Sequence, residues 1–193
     1  MRLAENVLRF WFGSPDITGE IKKRKVWFRS NSKFDNDIRK EFKKYHARAT
    51  LGQLDHMKHS QKECLALIII LDQFSRNLYR DSAKAFETDT KAQELANYAI
   101  RKSYDKNINK FAQLFFYLPL EHSERLEDQI KCLNLISSLT EKQSSITEQS
   151  HYETILRFGR FPHRNRVLGR ENTLEEEKYL KNPPNWARSN LKT

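Results

Sequence analysis

The sequence predicts an all-α fold built from antiparallel helix hairpins. Its 193 residues include only five glycines and five prolines, and 31% are charged, a composition typical of helix-rich proteins. Apolar residues recur three and four positions apart, which is the spacing of a buried helix face. Short polar breaks between these segments predict short loops. We expect a single, compact helical domain over residues 1–182 and a loose tail over residues 183–193.

The N-terminal half predicts helices with one buried face. Apolar side chains within residues 7–12 form a stripe that ends at Gly13, and residues 26–28 predict a second short helix. A third helix is expected between Ser32 and Gly52. No strict repeat of about 34 residues is present, so true tetratricopeptide repeats are not predicted.

The most apolar segment, residues 64–71, is apolar on every side. Three isoleucines also allow a strand here. Ser60 and Glu63 match a capping box, in which each side chain satisfies an exposed backbone N–H group of the other residue. This favours a central buried helix, followed by a polar loop over residues 72–81.

The C-terminal half shows further helix boundaries. They are a start at Thr88, a break at Pro119, a capping box over residues 145–148, an end at Gly159 and a capped start at Thr173. The helix after Pro119 is expected to bury Leu126, Ile130, Leu133 and Ile136.

Charge and hydropathy exclude several classes of protein. The net charge is +10, and residues 1–60 carry 14 basic and 7 acidic side chains, which we interpret as a solvated, lysine-rich face. No run of about 18 apolar residues exists, so no membrane partner is expected. Cys64 and Cys132 lie in apolar segments and are interpreted as small core residues. With no signal-peptide pattern, these features suggest the cytoplasm.

The densest positive charge lies in residues 156–170, which hold five arginines and no acid. Such density is unfavourable unless an anion or several carboxylates lie among the guanidinium groups. Arginine suits two-pronged recognition of carboxylate or phosphate. Arg157, Arg160, Arg164 and Asn165 are therefore candidate ligand residues, with His163 beside them.

A second loop resembles this one. Arg76-Asn77 and Arg164-Asn165 each follow an apolar helix, and each is followed by an arginine next to an acid. We predict that the two loops lie close together. The alternative is that the asparagines cap turns and the arginines bind carbonyl groups at helix ends.

The third candidate element is acidic. If a helix begins near Pro119, then Glu121, Glu124 and Asp128 share one face, with His122 at its start. These groups could act as general acids and bases, bind a hard metal ion, or pair with the arginines in a buried lattice. His151 is interpreted as a core histidine.

Four motifs resemble a bacterial family known as domain of unknown function nine-twenty-four. They are Phe10-Trp11-Phe12-Gly13, Leu71-Asp72-Gln73-Phe74-Ser75-Arg76-Asn77, Tyr117-Leu118-Pro119-Leu120-Glu121-His122-Ser123-Glu124 and Arg157-Phe158-Gly159-Arg160-Phe161-Pro162-His163-Arg164-Asn165. The resemblance covers nearly the whole chain and implies an all-helical, tetratricopeptide-like fold. It implies no activity. The chain has Ser75 where the family pattern has proline, and Met57 where it has tryptophan.

The leading functional hypothesis is a polar pocket that binds a small anion or a peptide carboxylate, without cofactor or metal. The candidate ligand-binding residues are Asp72, Arg76, Asn77, Arg80, Asp128, Arg157, Arg160, Arg164 and Asn165. The candidate catalytic residues are His122, His163, Glu121 and Glu124. The alternative is a protein-interaction module with a helical groove. Specific nucleic-acid binding ranks below both, because no recognised motif is present.

Overall fold

The computed structural model describes residues 2–139 and 146–190, and within these the regular structure is entirely helical. The helices are α1 (Arg2–Phe12), α2 (Ser32–Thr50), α3 (Gln61–Ile68), α4 (Ser75–Leu78), α5 (Asp89–Arg101), α6 (Lys110–Glu121), α7 (Leu126–Ser137), α8 (Ile146–Phe158) and α9 (Leu174–Lys181). Short 3₁₀ turns join them. The all-α prediction is confirmed, whereas the finer tetratricopeptide-like arrangement stays a prediction.

The centre of the core is the segment that runs from α3 to α4. A π-helical stretch, Ile69–Phe74, joins the two helices without interruption, and residues 64–71 are all buried. α1, α2, α5 and α6 pack around this segment, and α6, α7 and α8 follow one another in contact. The expectation of a loop from Asp72 is wrong, because the chain remains helical to Leu78.

Helix ends follow the local chemistry at some positions and not at others. Thr173 and Glu176 form the expected capping box, and Gly13 ends α1 with a φ of 87°, which glycine adopts without strain. Ser60 makes no side-chain cap bond, although α3 begins directly after it. Packing of the apolar helix therefore fixes that boundary. Ser145 of the capping box expected over residues 145–148 lies outside the described residues.

α6 does not break at Pro119. The helix continues to Glu121, and His122 closes it by donating its backbone N–H to the Leu118 carbonyl at 3.0 Å. Proline costs one backbone bond, and here Pro119 and Leu120 are both buried in the core. α7 begins only at Leu126, so Glu121, Glu124 and Asp128 do not share one helix face, contrary to expectation.

The C-terminal segment also differs from expectation. Pro183 and Ala187 are buried, and the Trp186 ring stacks on the His151 ring with a centroid distance of 3.7 Å. Trp186 also donates its indole N–H to the Ser150 hydroxyl at 3.1 Å. These contacts attach residues 183–188 to α8, so this part of the chain is not the loose tail that the sequence suggested.

Candidate functional site

Several chain segments bring charged and imidazole side chains together at the end of α6. Glu121 and His122 end that helix, while the central segment, α5, α8 and the 3₁₀ turn Pro162–Arg164 contribute the other groups. The members, called the polar cluster below, are Asp72, Arg76, Asp89, Glu121, His122, His151, His163 and Arg164. Gln129 of α7 fixes the turn after α6 by donating to the Glu121 and Ser123 carbonyls at 2.7 and 2.6 Å.

Arg76 is fully engaged. It donates to both carboxylate oxygens of Asp89 at 2.9 and 3.0 Å, and lies 3.1 Å from the Asp72 carboxylate. Burial by itself would raise the pKa of the Asp72 carboxyl, but the Arg76 guanidinium and His122 lower it to about 2. The Asp72 carboxylate and the Arg76 guanidinium are therefore both charged at neutral pH.

Arg164 is buried with less compensation. Its side chain is 7% exposed and lies between the Phe86 and Phe161 rings, 4.5 Å from each centroid. One Nη lies 3.4 Å from Asp89, the other donates to the His122 carbonyl at 3.0 Å, and Nε has no partner among the described residues. Burial lowers the pKa of Arg164 to about 10, and Asp89 opposes this only in part.

His122 is held by Asp72, with 2.7 Å between Nδ1 and the carboxylate oxygen. Burial and the Arg76 guanidinium lower the pKa of His122, while Asp72 raises it. The ionised carboxylate only accepts hydrogen bonds, so Nδ1 must carry the proton. Nε2 of the neutral ring is then a base, and 18% of the side chain remains exposed.

Glu121 lies on the other side of the cluster, 3.1 Å from Nδ1 of His151. Burial raises the pKa of Glu121 to about 8, helped by the Glu148 and Asp72 carboxylates. Burial lowers the pKa of His151 to about 3. Nδ1 of His151 also lies 2.8 Å from the Thr147 carbonyl, which can only accept. Glu121 is thus mainly a neutral carboxylic acid at pH 7 beside a neutral imidazole.

His163 completes the cluster. Burial, together with Arg164, lowers its pKa well below the ordinary value, and Nδ1 has no partner among the described residues. Its ring packs against Phe161 and Trp186 at centroid distances of 5.6 and 5.3 Å. Trp186 therefore covers both His151 and His163.

The remaining candidate residues have partners elsewhere. Asn77 donates to the Asp35 carboxylate at 2.7 Å, and Arg80 donates to the same carboxylate at 2.5 and 2.9 Å. Arg160 binds Glu176 at 2.7 and 2.8 Å. Each of these three side chains is therefore paired with a carboxylate of the fold.

The other acidic candidates are also engaged. Glu124 receives two bonds from Arg170 at 2.8 and 3.0 Å, and Asp128 accepts from Ser123 at 2.8 Å. Asn165 donates to Asn172 at 2.8 Å. Arg157 is exposed and lies over the Phe158 ring.

The two Arg-Asn motifs meet through their arginines, since Arg76 and Arg164 both contact Asp89. Their asparagines have different partners, Asp35 and Asn172. Asp89 was absent from the sequence-based site. An acid in the first turn of α5 has an ordinary explanation there, and nothing in the sequence marks it as a shared partner of two arginines.

An open groove of about 680 Å³ is lined in part by Trp186, whose ring also packs on two histidines of the cluster. One face of α8 and the C-terminal segment form its walls, which include Thr147, Ser150, Arg157, Tyr179 and Trp186. Trp186 separates this groove from the two buried histidines. In residues 2–139 and 146–190, no group of three or more histidine, cysteine or acidic side chains is arranged to hold a metal ion.

These features define a class of protein: an all-helical domain with a buried arginine, carboxylate and histidine cluster. No described helix combines the length and apolarity needed to span a bilayer. The sequence profile of DUF924, bacterial proteins of unknown function, matches residues 7–184, and the chain belongs to this family. A search of curated proteins gave no match.

A solved structure is similar along nearly the whole chain. It is the protein of unknown function ATU0120 from Agrobacterium tumefaciens, with 35% sequence identity and a TM-score of 0.84. The similarity covers 94% of this chain and 98% of that one. It supports the helical fold independently of the sequence patterns.

Proposed function

We propose that the protein binds a small oxyanion, a phosphate or a carboxylate, at Arg164 in the polar cluster. The observation that carries this proposal is the incomplete neutralisation of a buried guanidinium. Asp89 is already bound at two points by Arg76, so it offers Arg164 only one contact of 3.4 Å. An oxyanion would supply acceptors for the free Nε–H and for the remaining positive charge.

The surroundings of Arg164 also favour the binding of an anion. The neighbouring His122 and His163 have lowered pKa values, in part because of Arg76 and Arg164, so the local environment disfavours additional positive charge. An anion reverses that preference. Arg76 and His122 keep 19% and 18% of their side-chain surface, which gives the cluster a solvent-facing edge.

The test is thermal unfolding with sulfate, phosphate, acetate or succinate, each compared with chloride at equal ionic strength. A bound anion at 100 times its Kd should stabilise the parent by about 2.7 kcal/mol. Sulfate and phosphate also stabilise proteins by exclusion from the surface, so the decisive quantity is the difference between variants.

Arg164→Met should lose the anion-specific part of this stabilisation while retaining the packing between the two phenylalanine rings. Arg157→Gln is the matched control, because Arg157 is an exposed arginine of the same region and faces the groove. We expect it to behave like the parent. Equal anion responses in the parent and in Arg164→Met would refute the site.

A protein-interaction module is the second candidate, and the open groove beside Trp186 is the observation that favours it. A superhelical peptide groove draws contacts from several helices. This groove is walled mainly by α8 and the C-terminal segment, with Tyr179 from α9. We therefore rank it below anion binding.

A further inference from the structure

The Asp72–His122 pair has a geometry that anion binding alone does not need. Nδ1 of His122 lies 2.7 Å from Asp72, whose charge Arg76 holds in place at 3.1 Å. The backbone of His122 closes α6 through the Leu118 carbonyl, and its own carbonyl accepts from Arg164 at 3.0 Å. Hydrogen bonds thus hold both the backbone and the ring of His122 in place.

This arrangement sets the tautomer of His122. Nδ1–H donates to the Asp72 carboxylate, which leaves the lone pair on Nε2. No described residue forms a hydrogen bond with Nε2. A neutral imidazole held by a carboxylate is the arrangement that general bases use, with the carboxylate stabilising the imidazolium once it forms.

We propose that the Asp72–His122 pair couples anion binding to proton transfer, with Nε2 of His122 accepting one proton when an oxyanion occupies the Arg164 site. This inference rests on the proposed function above. If the ligand carries an acidic O–H, that bond breaks and an N–H bond forms at Nε2. The ligand then gains one negative charge and the imidazole one positive charge, and no oxidation or reduction occurs.

The groups around His122 explain why the proton moves only when the anion is present. Asp72 and Asp89 favour the imidazolium, whereas Arg76 opposes it. Glu121, His151, His163 and Arg164 complete the surroundings, and the first three are mainly neutral at pH 7. In the free protein, burial and Arg76 keep the ring neutral. An added anion beside Arg164 shifts the balance towards imidazolium.

The favoured ligand class follows from this coupling. A phosphate or phosphate monoester in its singly charged form brings its own proton, because the second pKa of phosphate monoesters is about 6 and that of inorganic phosphate is higher. It can hand that proton to His122 and bind as the dianion, pairing two negative charges with Arg164 and the new imidazolium. Sulfate has no proton at neutral pH, so on sulfate binding His122 must take its proton from the solution.

The experiment compares how many protons the protein takes from the buffer when sulfate and when phosphate binds. Sulfate binding is measured by isothermal titration calorimetry at pH 7.5 in buffers with different ionisation enthalpies, because the slope against buffer enthalpy gives the protons taken up. We expect close to one proton per sulfate in the parent. Phosphate at pH 6 should draw much less from the buffer, since most of it already carries the second proton.

Variants assign the acceptor. His122→Gln should bind sulfate without proton uptake, and Asp72→Asn should reduce the uptake because the imidazolium loses its counter-charge. His56→Gln, an exposed and remote histidine, is the control and should keep it. His163→Gln tests His163, the other imidazole of the cluster with a ring nitrogen, Nδ1, that has no partner among the described residues. Uptake lost in His163→Gln but kept in His122→Gln would overturn the assignment.

A measurement on the parent guards against misfolded variants. Nitrogen NMR of the histidine rings should show His122 protonated at Nδ1 in the free protein and doubly protonated with sulfate at the same pH. Sulfate binding without a change at His122 would overturn this inference and leave the anion site intact. If no anion binds at all, the proposed function fails and the coupling fails with it.

Discussion

Arg76 and Arg164 occupy the same place in two similar motifs and approach the same carboxylate, yet only Arg76 is fully neutralised. Arg76 has two short contacts with the Asp89 carboxylate and one with Asp72, whereas Arg164 has a single carboxylate contact, of 3.4 Å, among the described residues. The two motifs differ in the number and distance of the carboxylates that distant parts of the chain place beside their arginines. Matching local sequences therefore give one fully neutralised arginine and one that we propose as the anion site.

The largest expected effect is a difference in stability between variants of Arg76 and of Arg164. Arg76→Met leaves Asp72 and Asp89 buried with weakened compensation, so it should lower the free energy of unfolding by about 3–5 kcal/mol. Arg164→Met leaves Asp89 bound to Arg76 and should change stability by less than about 1 kcal/mol. Urea unfolding at pH 7 measures both. Equal large losses would make Arg164 a member of the structural lattice and remove the main support for the anion site.

Local patterns in the sequence predicted much of the fold. The apolar stripe of α1 is buried as expected, because the 3.6-residue helical period alone decides which side chains face the core. The break expected at Pro119 and the loop expected at Asp72 were wrong for the opposite reason. There, burial in the core outweighs one missing backbone bond and the polar character of the segment.

The site could be predicted only in part, since its electrostatics depend on contacts distant in the sequence. The arginine-rich segment pointed to His163 and Arg164, and the acidic segment that begins at Glu121 pointed to His122. The carboxylate that Arg164 contacts belongs to Asp89, which lies 75 positions before it. The same applies to His151, which is a core residue as interpreted and also a neighbour of Glu121. No local pattern marks such pairings.

The carboxylic acid of Glu121 provides a test of intermediate size on the side of the cluster away from Arg164. Its ordinary pKa of 4.5 is raised to about 8 by burial and by Glu148 and Asp72. Ionisation therefore opposes folding, and the stability present below pH 4.5 is lost as the pH rises to about 8. Glu121→Gln should match the parent near pH 5 and exceed it by more than about 1 kcal/mol at pH 8.

Urea unfolding of both proteins at the two pH values gives this difference, in which the contributions of the buried histidines cancel. Glu175→Gln, on the exposed side of α9, is the control and should keep the parent's pH dependence. A constant difference between Glu121→Gln and the parent from pH 5 to pH 8 would show that Glu121 is ionised in the folded protein. Electrostatic repulsion within the cluster would then be larger than the structure indicates.

The smallest expected effect belongs to Arg157, seven residues before Arg164. It is exposed, lies 4.8 Å from the centre of the Phe158 ring and has no carboxylate partner among the described residues. Arg157→Gln removes a solvated charge, so stability should change by less than about 0.5 kcal/mol. Its anion response should also equal that of the parent, because water already compensates this guanidinium. If Arg157→Gln abolishes the response while Arg164→Met keeps it, the anion binds in the groove beside Trp186. Exposure rather than incomplete neutralisation would then distinguish the two arginines.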